Sequence, residues 1–196
     1  MQIIFKTKEA PSRYDSSKIS DVIYPDAPER CPHKDCKMPV EMKKHGFYKR
    51  NILLKHFIGI IRIRRYKCPV CGKTLSMLPA FCIPFFVYGT EVIVWAISYT
   101  MSTSVRAAAK LSSDIASFVT RRHIAYWKSR FRRNRDLINY GLNQMSPATT
   151  TANERTGDTL WTERFLCEAG NSPEKFNADF HKTIGKSFMS LQISVA

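Results

Sequence analysis

Four cysteines fall in two close pairs, Cys31 with Cys36 and Cys68 with Cys71. The first pair brackets Pro-His-Lys-Asp, the second brackets Pro-Val, and Gly72 follows the second. Both spacings let one short turn aim two sulfurs at a single ion, and four thiolates complete the tetrahedron that zinc prefers. Pro32 and Pro69 stiffen the start of each turn, and Gly72 supplies backbone freedom after the second. The set predicts one structural Zn2+ on Cys31, Cys36, Cys68 and Cys71. All four positions are filled by protein, so no open position is left for a water and the ion has no catalytic task. An iron–sulfur cluster uses the same donor set, but nothing in the sequence suggests redox chemistry. Unmetallated buried cysteines are the other alternative. It is weakened because a small hairpin so poor in apolar residues is expected to lack a core of its own, and metal supplies folding energy in such modules. His33, inside the first turn, is unnecessary as a ligand once four thiols are present. His45, beside Lys43 and Lys44, reads as a surface or phosphate-contacting residue. Cys82 and Cys167 stand in apolar contexts and read as packing residues.

The second constellation is a run of cations. From Arg121 to Arg135 there are seven Lys or Arg and no acid. Thr120 can cap a helix over 121–134, and Ile124, Trp127 and Phe131 then fall at i, i+3 and i+7 on one apolar stripe. Arg121, Arg122, His123, Lys128, Arg132 and Arg133 are left for the other faces, the arrangement a recognition helix needs to reach base edges and phosphates. A solvated basic helix, or one lying on acidic lipid, is the plainer alternative. An alanine-rich helix at 104–111, carrying Arg106 and capped by Thr103, precedes it, so the two read as a helix-turn-helix. The intervening stretch 112–119 is longer than the usual turn of about 3–4 residues.

Other elements must position these groups. Short strand signals occur at 3–5, 42–50 and 57–67, with 51–56 as a hairpin connection. In the last strand Ile61 and Ile63 alternate with Arg62 and Arg64, which predicts one buried face and one basic face. Lys49, Arg50, Arg62 and Arg64 are therefore expected at the polyanion too, and Phe47-Tyr48-Lys49-Arg50 keeps an RNA partner open. A helix is expected at 91–101 and two more at 160–169 and 173–189, after a linker rich in Thr, Ala and Pro. The expected class is α+β: an N-terminal segment (1–30), a zinc-ribbon β-hairpin module (31–84), a helix-turn-helix domain (85–144), a linker (145–157) and a short helical tail (158–196).

Bulk charge agrees. The chain of 196 residues has a net charge of +15, and its apolar fraction of 44% suffices for a buried core. A sequence pI near 9.8 is in the range of nucleic-acid binders. Residues 1–150 carry 26 basic and 10 acidic side chains, residues 151–196 carry 5 and 6, so the polyanion-facing work belongs to the first three quarters. The first six residues, MQIIFK, lack the charged start and long apolar run of a secretory signal, so a cytoplasmic, nucleoid-associated location with reduced thiols is expected. The apolar stretch 80–101 is interrupted by Pro84, Gly89 and Glu91 and reads as a core helix, not a membrane span.

Several segments resemble the amino-terminal DNA-binding part of bacterial insertion-sequence transposases: KKHGFYKR (43–50), RIRRYKCPVCGKTLSMLPAF (62–81), SVRAAAKL (104–111) and HIAYWKSRF (123–131). With ERFLCEAGN (163–171) and GKSFMSL (185–191), the chain looks like a family of small transposase-like mobile-element proteins that join a zinc ribbon to a helix-turn-helix. The resemblance implies double-stranded DNA as partner, the four cysteines as zinc set and the 121–133 helix as reader. It does not carry over strand transfer, which needs a carboxylate triad holding two Mg2+ on a strand-rich fold. Asp158, Glu163, Glu168 and Asp179 are scattered, and the residues after 136 look helical. A non-enzymatic protein is expected. A DNA-binding subunit whose catalytic partner is another chain, or a protein-interaction module, are the alternatives, and a homodimer is the arrangement helix-turn-helix proteins commonly use.

Overall fold

The structure is a computed structural model and describes residues 1–17, 24–104, 108, 118–146 and 157–191. It is mixed α+β, a four-stranded sheet followed by five described helices. The strands are β1 (Gln2–Phe5), β2 (Lys43–Leu53), β3 (Ile58–Lys67) and β4 (Thr74–Pro79), in the order β1-β4-β3-β2. The helices are α1 (Thr90–Ser102), α2 (Arg121–Arg133), α3 (Arg135–Met145), α4 (Gly157–Asn171) and α5 (Pro173–Ile184).

β2 and β3 form the expected antiparallel hairpin, with Lys43 opposite Lys67 and Leu53 opposite Ile58. The strand runs three residues into the stretch read as a connection. Ile52 and Leu54 are buried there, and Leu53 exchanges hydrogen bonds with Val87 and Gly89 (2.9 Å each), so tertiary pairing overrides weak local turn chemistry. β4 was not expected. It pairs antiparallel with β3 and parallel with β1, so the chain's first residues close one side of the sheet.

The sheet has an apolar core of its own, built on Ile4, Tyr14, Ile52, Ile61, Ile63, Leu75, Leu78 and Phe81. That overturns the expectation of a coreless cysteine module. The segment before Cys31 supplies the missing apolar surface: Tyr14 is fully buried, packs edge-on against Phe81 with ring centroids 5.4 Å apart, and shares a hydrogen bond of 2.7 Å with Thr7. Tyr24 donates to the Arg62 carbonyl and Tyr66 to that of Pro25.

The second core is helical. Ile93 and Ile97 of α1, the stripe Ile124, Trp127 and Phe131 of α2, and Ile138 and Leu142 of α3 pack with Phe165 of α4 and Phe176 and Phe180 of α5. Aromatic edges and faces dominate it: Phe131 and Phe165 lie 4.5 Å apart, Phe165 and Phe176 5.3 Å. The near-neutral tail is thus built into the same core as the basic helix. α3 was not singled out as a helix of its own; Asn134 ends α2 and leads directly into it. α5 stops at Ile184, five residues short of the sequence expectation, because Gly185 takes a left-handed conformation (φ 73°). Cys82 is buried as expected, but Cys167 points outward from α4, on the face away from Trp161 and Phe165. Among the described residues no helix is long and apolar enough to cross a membrane. Of the alanine-rich helix expected at 104–111 only Ser104 and Ala108 are among the described residues; Arg106 and most of the linker lie outside them.

Candidate metal centre and basic helix

Two turns bring the four cysteines together. The first precedes β2 and is closed by Cys36 N–H to the His33 carbonyl (3.0 Å) and by Cys31 N–H to Met38 (2.9 Å). The second is the β3–β4 turn, closed by Cys68 N–H to Lys73 and Gly72 N–H to Cys68, both 3.0 Å. The residue after each second cysteine is left-handed, Lys37 at φ 49° and Gly72 at φ 68°. The two turns thus solve one geometric problem with different residues.

The four sulfurs all lie within 4.8 Å of one another, with Cys31 to Cys71 at 3.8 Å and Cys36 to Cys68 at 3.9 Å. Metal–thiolate bonds of about 2.3 Å in a tetrahedron give edges of about 3.8 Å. The donor set therefore fits a metal ion. Backbone N–H groups of Cys71 and Val70 aimed at the Cys68 sulfur lower its thiol to about 7. Burial pushes the Cys31 thiol up to about 12. Four thiols this close ionise together only with a cation among them. His33 is not aimed at the cluster. Its Nε2 lies 3.2 Å from the Thr74 carbonyl and ties the first turn to β4. Lys73 pairs with Asp35 at 2.8 Å across the two turns; both side chains are well exposed, so the pair orients more than it stabilises.

The basic residues divide sharply once placed. On α2, Arg121, Arg122, Arg132 and Arg133 are exposed, and among the described residues no carboxylate pairs with them. Lys128 is partly buried. Its Nζ donates to the Thr100 carbonyl at the end of α1 (2.9 Å), and burial, then nearby Arg132, lower its ammonium below the ordinary value. His123 has a structural task. It occupies the third helical position and closes a capping box with Thr120, its Nδ1 3.2 Å from the Thr120 backbone nitrogen, and it also meets the Tyr88 hydroxyl at 3.0 Å. Arg130, which the sequence did not single out, donates to the Met189 carbonyl (2.7 Å) and to the Tyr126 hydroxyl (2.6 Å).

Of the hairpin cations expected at a polyanion, Arg50 and Arg64 are committed inward. Arg50 donates to the carbonyls of Ile83 and Phe86. Arg64 is only 5% exposed, opposite Phe47 in the β2–β3 register, with its guanidinium 4.6 Å from the centre of that ring and 5.6 Å from that of Tyr66. The alternation seen in sequence therefore does not leave a solvent-facing basic side on β3. Arg62 is half-buried, 5.7 Å from the Phe47 ring, and Lys49 is exposed. The site residues legible by spacing, the cysteines and the α2 stripe, come together; Arg50, Arg64 and His123 serve the fold.

Residues 31–116 match a family model described as a domain of unknown function (DUF6431). The match covers both cysteine turns, β2 to β4 and α1, and ends before α2. No curated protein and no solved structure matches the chain.

Proposed function

We propose that the chain is a DNA-binding protein stapled by one structural zinc ion, with α2 lying on DNA and no strand-transfer chemistry of its own. One observation carries the reading. The apolar stripe Ile124, Trp127 and Phe131 is fixed in the core, which leaves Arg121, Arg122, Arg132 and Arg133 outward with no described carboxylate beside them. Unneutralised guanidinium groups on a rigid helix repel one another, and a polyanion is the partner that relieves this. Exposed Lys49 and half-buried Arg62 add charge from the sheet.

Zinc is the ion that four thiolates at tetrahedral spacing favour, and a closed set leaves it structural. The non-catalytic reading draws support from the tail carboxylates. Asp179 is paired with Lys6 at 2.6 Å and Glu168 accepts from Ser146 at 3.2 Å, each on a different helix. The tie to mobile elements is carried by the segment resemblances, and nucleoid association follows from the binding.

The test is fluorescence anisotropy of a mixed-sequence duplex against salt. Each phosphate neutralised contributes a slope of about −0.9 in log K against log salt. The double change Arg132→Ala with Arg133→Ala should weaken binding and flatten the slope by about 2. A slope unchanged by that variant would show that α2 does not face the phosphates.

A further inference from the structure

Phe85 is 83% exposed and has a φ of 66°. A scattered exposed apolar residue is ordinary, but a bulky residue held left-handed is not. It is the third residue of the turn Ile83-Pro84-Phe85-Phe86, closed by Phe86 N–H to the Ile83 carbonyl at 3.1 Å. Proline second and a left-handed residue third is the pattern of a type II turn, whose third position favours Gly or Asn. Phenylalanine there strains the backbone and gains almost no burial in return.

The turn is held firmly. Arg50 clamps it through the carbonyls of Ile83 and Phe86, and Leu53 N–H bonds the Val87 carbonyl at 2.9 Å. Phe86 anchors it on α2: its buried ring lies 6.2 Å from that of Tyr126, with the Arg130 guanidinium 5.3 Å and 5.8 Å from the two rings. Tyr126 is itself half exposed, on the outer stripe of α2 that also carries Arg122 and Arg133. A strained, outward aromatic thus immediately precedes the residue whose ring packs against Tyr126 and Arg130 of the cationic helix. Strain kept where surrounding contacts over-determine it marks a working position.

We propose that Phe85 is a base-contacting wedge, stacking its ring on a nucleobase of the DNA that α2 holds. This rests on the reading of α2 as a DNA-binding helix. A nucleobase suits the rim better than an apolar protein surface does, because Arg122 and Arg133 would be stranded without anionic partners on a dry protein interface. Aromatic side chains take bases either by stacking on unpaired ones or by inserting at a base step.

The experiment uses the full zinc-loaded chain and Phe85→Gly, Phe85→Leu and Phe85→Trp variants. Each is titrated against a duplex and against the same duplex with a single-stranded overhang, both carrying 2-aminopurine as reporter. Phe85→Gly should keep its zinc and melt at the same or a higher temperature, because glycine relieves the left-handed strain. Its DNA affinity should nevertheless fall roughly tenfold, as should that of Phe85→Leu, while Phe85→Trp holds or improves it. The salt slope should not change, since phosphate contacts are untouched. Reporter brightening in the duplex identifies insertion at a base step; quenching in the overhang identifies stacking on an unpaired base. Full affinity of Phe85→Gly alongside weakened Arg132→Ala/Arg133→Ala overturns the wedge and leaves the helix reading standing. Full affinity of both overturns the wedge together with the DNA reading.

Discussion

The side-chain amide of Asn177 on α5 donates to the Ala80 carbonyl at 2.8 Å, across 97 positions of sequence. The same nitrogen reaches the Cys82 carbonyl at 2.9 Å and the Thr90 hydroxyl at 3.1 Å, all in a buried site where β4 gives way to α1. One tail residue therefore satisfies the backbone at the junction between the sheet and the helical core. Ala178 next to it belongs to the sheet's own apolar cluster, so α5 serves both cores.

Asn177→Ala should destabilise the protein by about 1–2 kcal/mol, because it takes the amide donor from the buried Cys82 carbonyl, while the Ala80 carbonyl keeps its bond from the Thr90 hydroxyl and the buried Asn177 Oδ1, which meets no partner among the described residues, is removed with it. Urea unfolding of the whole chain measures this. If the tail were a separate appendage, the variant would unfold α4 and α5 at lower urea and leave the main transition in place. The packing described here requires instead that the single transition move as a whole.

Removal of the metal should act locally first. The chain should hold one zinc per molecule, with Cys68→Ser losing it and Cys82→Ala and Cys167→Ser retaining it. Because the sheet has its own core, chelation should loosen the two cysteine turns and the β3–β4 end before it dissolves the hairpin. Hydrogen exchange reads this directly: protection at Cys36, Cys68 and Gly72 should fall, while that at Ile61 and Ile63 persists. Collapse of protection throughout β2 and β3 on chelation would show that the core does not suffice.

Much of this was legible because it is local. The cysteine spacings fix a two-turn site within a few residues, and the i, i+3, i+7 stripe of α2 fixes which face is inward. His123 was legible too, in principle, since it stands three residues after Thr120, where a capping box places its second member. What escaped was non-local. Nothing near Thr74 announces a strand; β4 lies between β3 and β1, and its parallel partner is a segment more than seventy positions away. The alternation of Ile61, Arg62, Ile63 and Arg64 reads as a half-solvated strand, and only the register opposite Phe47 reveals that Arg64 is covered.

Lys37 offers a test of the turn geometry. It adopts a left-handed conformation (φ 49°) at the position matched by Gly72 in the second turn. A side chain there costs about 1–2 kcal/mol, partly offset by the greater chain entropy that glycine loses on folding. Lys37→Gly should therefore stabilise the zinc-bound protein by about 0.5 kcal/mol and slow metal loss to a competing chelator. The mirror change, Gly72→Ala, should cost about 1 kcal/mol. A Cβ at Gly72 meets nothing within 4 Å, so that cost is conformational and not a clash.

The seam between α5 and β1 should be sensitive to acid. His181 is 7% exposed, and burial lowers its imidazolium below the ordinary value of 6.5, the interaction with the Gln2 backbone working the other way. In the unfolded chain the ring titrates at its ordinary value, so as pH falls through 6.5 the unfolded state takes up the proton first. Stability contributed by the neutral ring is then present above 6.5 and declines below it. Glu174 on the same helix is raised by burial and then by Glu91, so it has the opposite sign and acts only near and above 4.5. A metal held by the cysteine cluster would also be released in acid. Both effects are common to wild type and to His181→Gln, so the difference between the two isolates the ring. The unfolding free energy of wild type should drop more steeply than that of His181→Gln between about pH 7.5 and 5.5. Parallel pH profiles would show that His181 is not held neutral at this seam.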